Sequence, residues 1–123
     1  MKVRVLKWTV AVLCCALLLI AWRTLVLALQ IQTASGISSA CEETERIAVS
    51  ESDPVALALQ MQWMQVHYQS NIERLSGSHL HRIVRIEYEQ TLTNSFSALR
   101  RMTTNDLGND VSAWLARLQK HEH

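Results

Sequence analysis

The 123-residue sequence contains three glycines, and these lie far apart at Gly36, Gly77 and Gly108. A phosphate-binding or dinucleotide-binding loop needs several glycines within a few residues, because backbone amides must approach the phosphates closely. The sequence also lacks the GxSxG and HExxH motifs of common hydrolases. It therefore predicts no enzyme, no cofactor and no small-molecule substrate.

Cysteine is also scarce, and the spacing of Cys14, Cys15 and Cys41 matches neither a CxxC pair nor a Cys/His ligand set. His79 and His81 are two residues apart on a predicted helix and do not share a face, so no metal site is predicted. Cys41 has no second cysteine in its own part of the chain. It is interpreted either as a free thiol or as a site of lipidation or of an intermolecular disulfide.

The charge balance is nearly neutral, with 12 Lys and Arg against 11 Asp and Glu. A nucleic-acid binder normally carries a clear basic excess, so this class is not favoured. The charges are unevenly distributed, however: Lys2, Arg4 and Lys7 precede a long apolar run, and acidic residues dominate between positions 42 and 53. This order is typical of an export signal or a membrane anchor.

Two interpretations of the apolar run remain open. Residues 8–22 could be the core of a cleavable signal peptide, with small-residue cleavage sites before Ile37 and before Cys41. Alternatively, residues 8–31 form one transmembrane helix of roughly 36 Å, enough for a hydrocarbon core of about 30 Å. The second interpretation is favoured, because apolar residues continue beyond Arg23 for longer than a simple signal peptide needs.

Arg23 interrupts this run. A central arginine costs about 2.5–3.5 kcal/mol on insertion scales. Each surrounding Leu, Ile or Val makes the insertion free energy more favourable by roughly 0.3–0.6 kcal/mol. About a dozen such residues are present, so insertion is still favoured. Arg23 either extends to the outer interface or pairs with a carboxylate. No acid lies in the run, so such a partner must belong to another chain.

The basic N-terminus predicts an N-terminus in the cytoplasm and a C-terminal domain outside it. In a bacterium this is an inner-membrane protein with a periplasmic domain; the alternative is a periplasmic or secreted protein released by cleavage. The predicted organisation is an anchor or signal peptide over 1–32, a flexible acidic linker over 33–52 and an extracytoplasmic helical domain over 53–123.

The predicted domain is an antiparallel helical hairpin followed by a short helix, so the fold class is all-α. Asp53 and Pro54 are typical of a helix start, and this helix is expected to reach about Leu75. Its apolar seam contains Leu57, Met61, Met64, Tyr68, Asn71 and Leu75, widened by Trp63, Val66 and Ile72.

The second helix of the hairpin is predicted from His79 to Met102, after a turn at Gly77 and Ser78. Arg85 and Glu89 can pair on its exposed face, one turn apart. A short last helix follows the turn residue Gly108. Its apolar face contains Val111, Trp114, Leu115 and Leu118, and Trp114 is expected to be buried.

Residues 98–118, ALRRMTTNDLGNDVSAWLARL, resemble an element that closes bacterial HEAT-like helical proteins. The matching residues are Leu99, Arg100, Thr103, Gly108, Asp110, Ala113 and Trp114. Thr104 stands where that element usually has glycine, and Val111 where it often has proline. The resemblance covers about a sixth of the chain and implies a helical fold and a bacterial source, but no activity.

The hairpin tip carries the basic residues Arg74, His81, Arg82 and Arg85. This patch could contact lipid head groups or an acidic partner, or could be a solvated helix end. Two amphipathic helices and a short third one form a thin core, so association with another protein or with a second copy is expected. The function predicted is that of a membrane-anchored interaction module, such as an accessory subunit of a membrane complex.

Overall fold

A computed structural model describes residues 2–122, with side chains described as far as Lys120. The helices are α1 (Lys2–Ser50), α2 (Pro54–Asn71), a 3-10 helix (Ile72–Leu75), α3 (His79–Thr103) and α4 (Val111–Glu122). No β-strand occurs within these described residues. The prediction of an all-α protein with one long apolar N-terminal helix is therefore confirmed.

The chain divides into two compact units, Met1–Gln32 and Thr33–His123. In the first unit, residues 2–32 belong to α1, and their large apolar side chains are exposed apart from the half-buried Val26. By length and composition α1 is suited to cross a membrane, and a signal sequence at an N-terminus would have the same properties. The first unit is thus compatible with either of the two interpretations of the apolar run.

The second unit begins with helix, which corrects the prediction of a flexible linker over 33–52. Residues 33–50 continue α1 without a break. The side chains that this segment buries follow helical spacing of three and four, and they are Ala34, Ile37, Ala40, Cys41, Thr44 and Ala48. Small and polar residues are typical of a tether, but small side chains also let two helices approach closely. The domain therefore starts at Thr33 and not at residue 53.

The boundaries of α2 agree with the local signals in the sequence. Pro54 is the first residue of α2, and the backbone amide of Val55 donates to Asp53 Oδ1 at 3.0 Å. The α-helix ends at Asn71, and the 3-10 helix continues to Leu75, where the helix was predicted to end. Gly77 then turns the chain with a φ of 80°. A residue without a Cβ suits this left-handed conformation.

Two apolar clusters form the core of the second unit. One is centred on α4 and contains Ala48, Leu57, Ala58, Met61, Phe96, Ala98, Leu99, Val111, Trp114, Leu115 and Leu118. The other lies toward the hairpin tip and contains Ala34, Ile37, Ala40, Cys41, Met64, Leu75, Val84 and Tyr88. The four α-helices and the 3-10 helix therefore all contribute to the core, where the sequence predicted a hairpin and one short helix.

The segment between α3 and α4 is held by side-chain contacts. Arg100 Nε donates to Asp106 Oδ1 at 3.0 Å, and its Nη2 donates to Asn109 Oδ1 at 2.6 Å. Trp114 is fully buried, as predicted, and its Nε1 donates to the carbonyl oxygen of Gly108 at 2.9 Å. These contacts fix where α4 begins and how it packs on the rest of the domain.

Candidate functional site

Cys41 lies at the contact between the second half of α1 and α3, and its exposed fraction is 1%. Burial raises the pKa of its thiol to about 11, and the nearby carboxylates of Glu87 and Glu45 act in the same direction. A hydrogen bond with Thr91 acts in the opposite direction but is outweighed. The thiol therefore stays protonated near neutral pH, which disfavours a nucleophile or a metal ligand.

The burial of Cys41 also argues against two of its predicted roles. Lipidation and an intermolecular disulfide both require an accessible sulfur, and in the folded domain this sulfur is covered by neighbouring side chains. This burial disfavours both roles in the folded domain, where Cys41 is a free thiol. Cys41 packs as a small apolar residue in the cluster near the hairpin tip.

Polar side chains lie on both sides of Cys41 along the contact between α1 and α3. We call this group, including Cys41, the polar seam. Its members are Ser38, Cys41 and Glu45 of α1 and Glu87, Thr91 and Ser95 of α3. The Ser38 hydroxyl lies 3.0 and 3.2 Å from the two carboxylate oxygens of Glu87, to which it donates. Thr91 donates to Glu45 Oε1 at 3.2 Å. These bonds fix the register of α1 against α3.

The polar seam contains one buried side-chain oxygen, Ser95 Oγ, without a partner among the described residues. Sequence reasoning missed the whole seam because its α1 half was assigned to the linker. The signal that could have revealed it is the helical spacing of the small residues between Ala34 and Ala48.

The structure brings the predicted basic patch together at one end of the second unit. Arg74 lies in the 3-10 helix, and His81, Arg82 and Arg85 lie in the first two turns of α3. All three arginines are exposed and His81 is half-buried. Arg85 Nε lies 3.8 Å from Glu89 Oε1, which confirms the predicted pair. Neither of the other two arginines has a carboxylate within ion-pair distance in the described part of the chain.

An exposed apolar stripe runs along α2 and corrects another prediction. Leu59, Trp63 and Val66 are spaced by four and three residues and remain exposed. Trp63 and Val66 were assigned to the inner face, but the core is filled by Leu57, Met61 and Met64 without them. Trp63 stacks on His67 with ring centroids 5.2 Å apart. It also borders a shallow groove lined by Gly36, Ser39, Ala40, Glu43, Gln60 and Trp63.

Arg23 lies in the first unit with its side chain exposed. Within residues 2–122 it has no carboxylate within ion-pair distance. Among the residues described, no group of three or more His, Cys, Asp or Glu side chains is placed to hold a metal ion. Two candidate functional surfaces remain, both on the second unit. One is the basic patch of Arg74, His81, Arg82 and Arg85. The other is the exposed row Leu59, Trp63 and Val66, which we call the α2 stripe.

No protein-family model, no curated protein and no solved structure matches the chain.

Proposed function

We propose that this is a single-pass membrane protein whose helical domain, residues 33–123, binds another protein outside the cytoplasm. The observation that carries the proposal is the first unit. Residues 8–31 lie in one helix, are apolar apart from Arg23 and a few uncharged polar residues, and most of their large apolar side chains are exposed. Burying such a surface in lipid is strongly favourable, whereas leaving it in water is not.

The orientation proposed has the N-terminus in the cytoplasm and the domain in the periplasm. Lys2, Arg4 and Lys7 precede the apolar run, and the acidic residues follow it. Positively charged flanks remain on the cytoplasmic side. Arg23 then lies toward the outer half of the span, where its long side chain can reach the interface or a carboxylate of another membrane protein.

Retention of the anchor is supported by the packing of the second unit. Cleavage before Cys41 would remove Ala34, Ile37 and Ala40 from the apolar cluster near the hairpin tip. Cleavage before Ile37 would remove only Ala34 from this cluster. A secreted form beginning at Cys41 would therefore lose part of its own core, which favours the anchored protein over this alternative.

The interaction role is supported by the α2 stripe. Leu59, Trp63 and Val66 form one contiguous exposed row, and tryptophan is among the residues most enriched at interface hot spots. Contiguous exposed apolar surface on a small domain is typical of a binding site. The proposed partner is a protein with an apolar helix or groove, in keeping with an accessory subunit of a membrane complex.

Fractionation combined with intact-mass measurement tests the anchor. We expect the full-length mass in the membrane fraction, resistant to alkaline carbonate extraction. A soluble chain beginning at Ile37 or Cys41 would refute the anchor and establish the secreted alternative. A periplasm-dependent reporter fused after Lys120 should be active, and an inactive one would refute the orientation.

Photo-crosslinking tests the interaction role. A photoreactive amino acid at Trp63 should give a discrete adduct with one protein, whereas the same group at Ser112, exposed on α4, should not. Equal labelling from both positions would contradict a specific surface. The variant Arg23→Leu tests whether the membrane span contributes, since loss of the adduct would place a partner carboxylate beside Arg23.

A further inference from the structure

The outer face of the first two turns of α3 combines basic and apolar side chains. His79, Arg82, Ile83 and Ile86 follow spacings of three, one and three, which place them on one face of a helix. This face is opposite to the buried Val84, and it is exposed: Ile83 by 59% and Ile86 by 52%. We call it the basic-apolar face.

Hydrogen bonds across the polar seam show that α1 and α3 run in the same direction. Ser38 of α1 contacts Glu87 of α3, and further along, Glu45 of α1 contacts Thr91 of α3. Residue numbers increase together along the two helices. Each residue of α3 can therefore be matched with the residue of the 33–50 segment that lies at the same distance along the helix axis.

This register places Arg82 at the beginning of the second unit. Arg82 precedes Glu87 by five residues, as Thr33 precedes Ser38. Because both segments are α-helical and rise by about 1.5 Å per residue, Arg82 lies at about the height of Thr33. Thr33 is bonded directly to Gln32, the last residue of the apolar first unit. Arg82 therefore lies at the end of the second unit that is joined through the chain to the proposed membrane segment.

Within residues 72–86 the charged side chains are Arg74, Arg82 and Arg85 against Glu73, so the extreme end of the second unit is positive. Glu87 and Glu89 follow directly on α3 and balance the two extra arginines. Among the nearby acids, Glu73 is exposed, Glu89 pairs with Arg85, and Glu87 accepts from Ser38. The first turn of α3 contains no acidic residue. A positive side chain at a helix N-terminus is unfavourable for the helix, so helix stability does not account for Arg82 at this position.

We propose that the basic-apolar face, together with Arg74, docks on the anionic head groups of the bilayer that holds the N-terminal helix. Arginine guanidinium groups bind the phosphates, while Ile83 and Ile86 enter the boundary between head groups and acyl chains. The domain is then held close to the membrane surface, with the α2 stripe presented to a partner. This inference rests on the proposed membrane anchor.

Hydrogen exchange on the full-length chain in nanodiscs tests the docking. Discs contain phosphatidylcholine alone or phosphatidylcholine with phosphatidylglycerol. We expect slower amide exchange over residues 79–86 in the anionic discs, with added salt reversing the difference. Each arginine near an anionic surface is expected to contribute roughly fivefold to the docking equilibrium.

Matched variants locate the effect. The double variant Arg74→Gln and Arg82→Gln should lose the protection given by anionic lipid. Arg117→Gln should keep it, because Arg117 is exposed on α4, whose buried residues belong to the other core cluster. Both variants should retain the exchange pattern of buried α3 residues such as Leu99, which verifies folding.

Each outcome is decisive. Failure of the chain to enter discs would overturn the anchor and the docking with it. Entry into discs with equal exchange in both lipids would overturn only the docking. Protection that depends on the number of chains per disc and not on lipid charge would overturn it in favour of self-association through this face.

Discussion

Single side chains in this domain behave according to their surroundings more than their type. Cys41 and Trp114 are both buried, and each has a polar atom near a partner. Trp63 is chemically the same as Trp114 but lies on the surface of α2. The consequences of these differences can be measured as pH dependence and as loss of stability.

Cys41 is expected to make stability depend on pH in the alkaline range. Folding raises the pKa of this thiol from 9.0 to about 11. The unfolded chain therefore loses the proton first, so stability is complete below pH 9 and is lost between pH 9 and 11. The loss attributable to Cys41 is roughly 2–3 kcal/mol. Chemical denaturation of wild type and Cys41→Ala in mild detergent measures it.

The comparison with Cys41→Ala is needed because folding also raises the pKa of Tyr88, to about 12. The ionisation of Tyr88 therefore also lowers stability at alkaline pH, but Tyr88 is present in both proteins. The stability difference between wild type and Cys41→Ala should therefore shrink as pH rises from 9 to 11. A constant difference would mean that Cys41 ionises as freely in the folded protein as in the unfolded chain.

Trp114→Ala should destabilise the domain by about 3–5 kcal/mol, because it removes the largest side chain of its cluster and leaves a cavity. It also removes the hydrogen bond from Nε1 to Gly108. The control Trp63→Ala removes the same side chain from an exposed site and should cost less than about 1 kcal/mol. Urea denaturation compares them; equal losses would refute the assigned burial.

At the scale of elements, the most consequential feature is the continuation of α1 to Ser50. The segment 33–50 supplies one wall of the second unit and half of the polar seam. The helix ends at Ser50, and Glu51 then turns the chain with a φ of 46°. The next helix, α2, begins at Pro54. The buried residues of this segment should therefore respond to mutation as core residues do, and its exposed residues should not.

Ile37→Ala tests whether this segment is structural. Ile37 is buried and should cost about 2–5 kcal/mol when truncated to alanine. Val49→Ala in the same helix is the matched control, since Val49 is 83% exposed and its truncation should change stability by no more than about 0.5 kcal/mol. Thermal unfolding followed by circular dichroism measures both; a flexible tether would make both changes neutral.

For the whole molecule, the division into two units at Thr33 predicts that the second unit can fold without the apolar part of α1. The second unit contains both apolar clusters and every hydrogen bond of the polar seam. Most large apolar side chains of the first unit are exposed, and under the proposed anchor lipid or detergent covers them. We therefore expect the boundary at Thr33 to be the boundary of cooperative unfolding.

Two truncated chains test this boundary. A chain beginning at Thr33 should be monodisperse and unfold cooperatively, because its core is complete. A chain beginning at Cys41 lacks Ala34, Ile37 and Ala40 and should be less stable by several kcal/mol. Urea denaturation and size-exclusion chromatography compare them. Equal stability of the two chains would favour the secreted form.

Local signals in the sequence were sufficient for the all-α class and for three of the helix starts. Asp53 with Pro54, Gly77 with Ser78, and Gly108 followed by Asp110 act within a few residues. Capping and left-handed turns depend on adjacent residues alone, so a sequence contains the whole of that information. The apolar run is equally local, since length and composition define it.

Only the tertiary structure decided which helical faces are covered. Residues 33–50 have the composition of a tether, but they are helical, and one face of this helix is buried against α2 and α3. Trp63 is apolar and exposed because Met61 and Met64 already fill the space between the helices. Burial depends on neighbours that are distant in the sequence. A local pattern therefore could not predict that residues 33–50 form a core helix, that Cys41 is buried, or that the α2 stripe faces outward. Local chemistry determined where the helices begin, and packing determined what each helix presents to the core and to its surroundings.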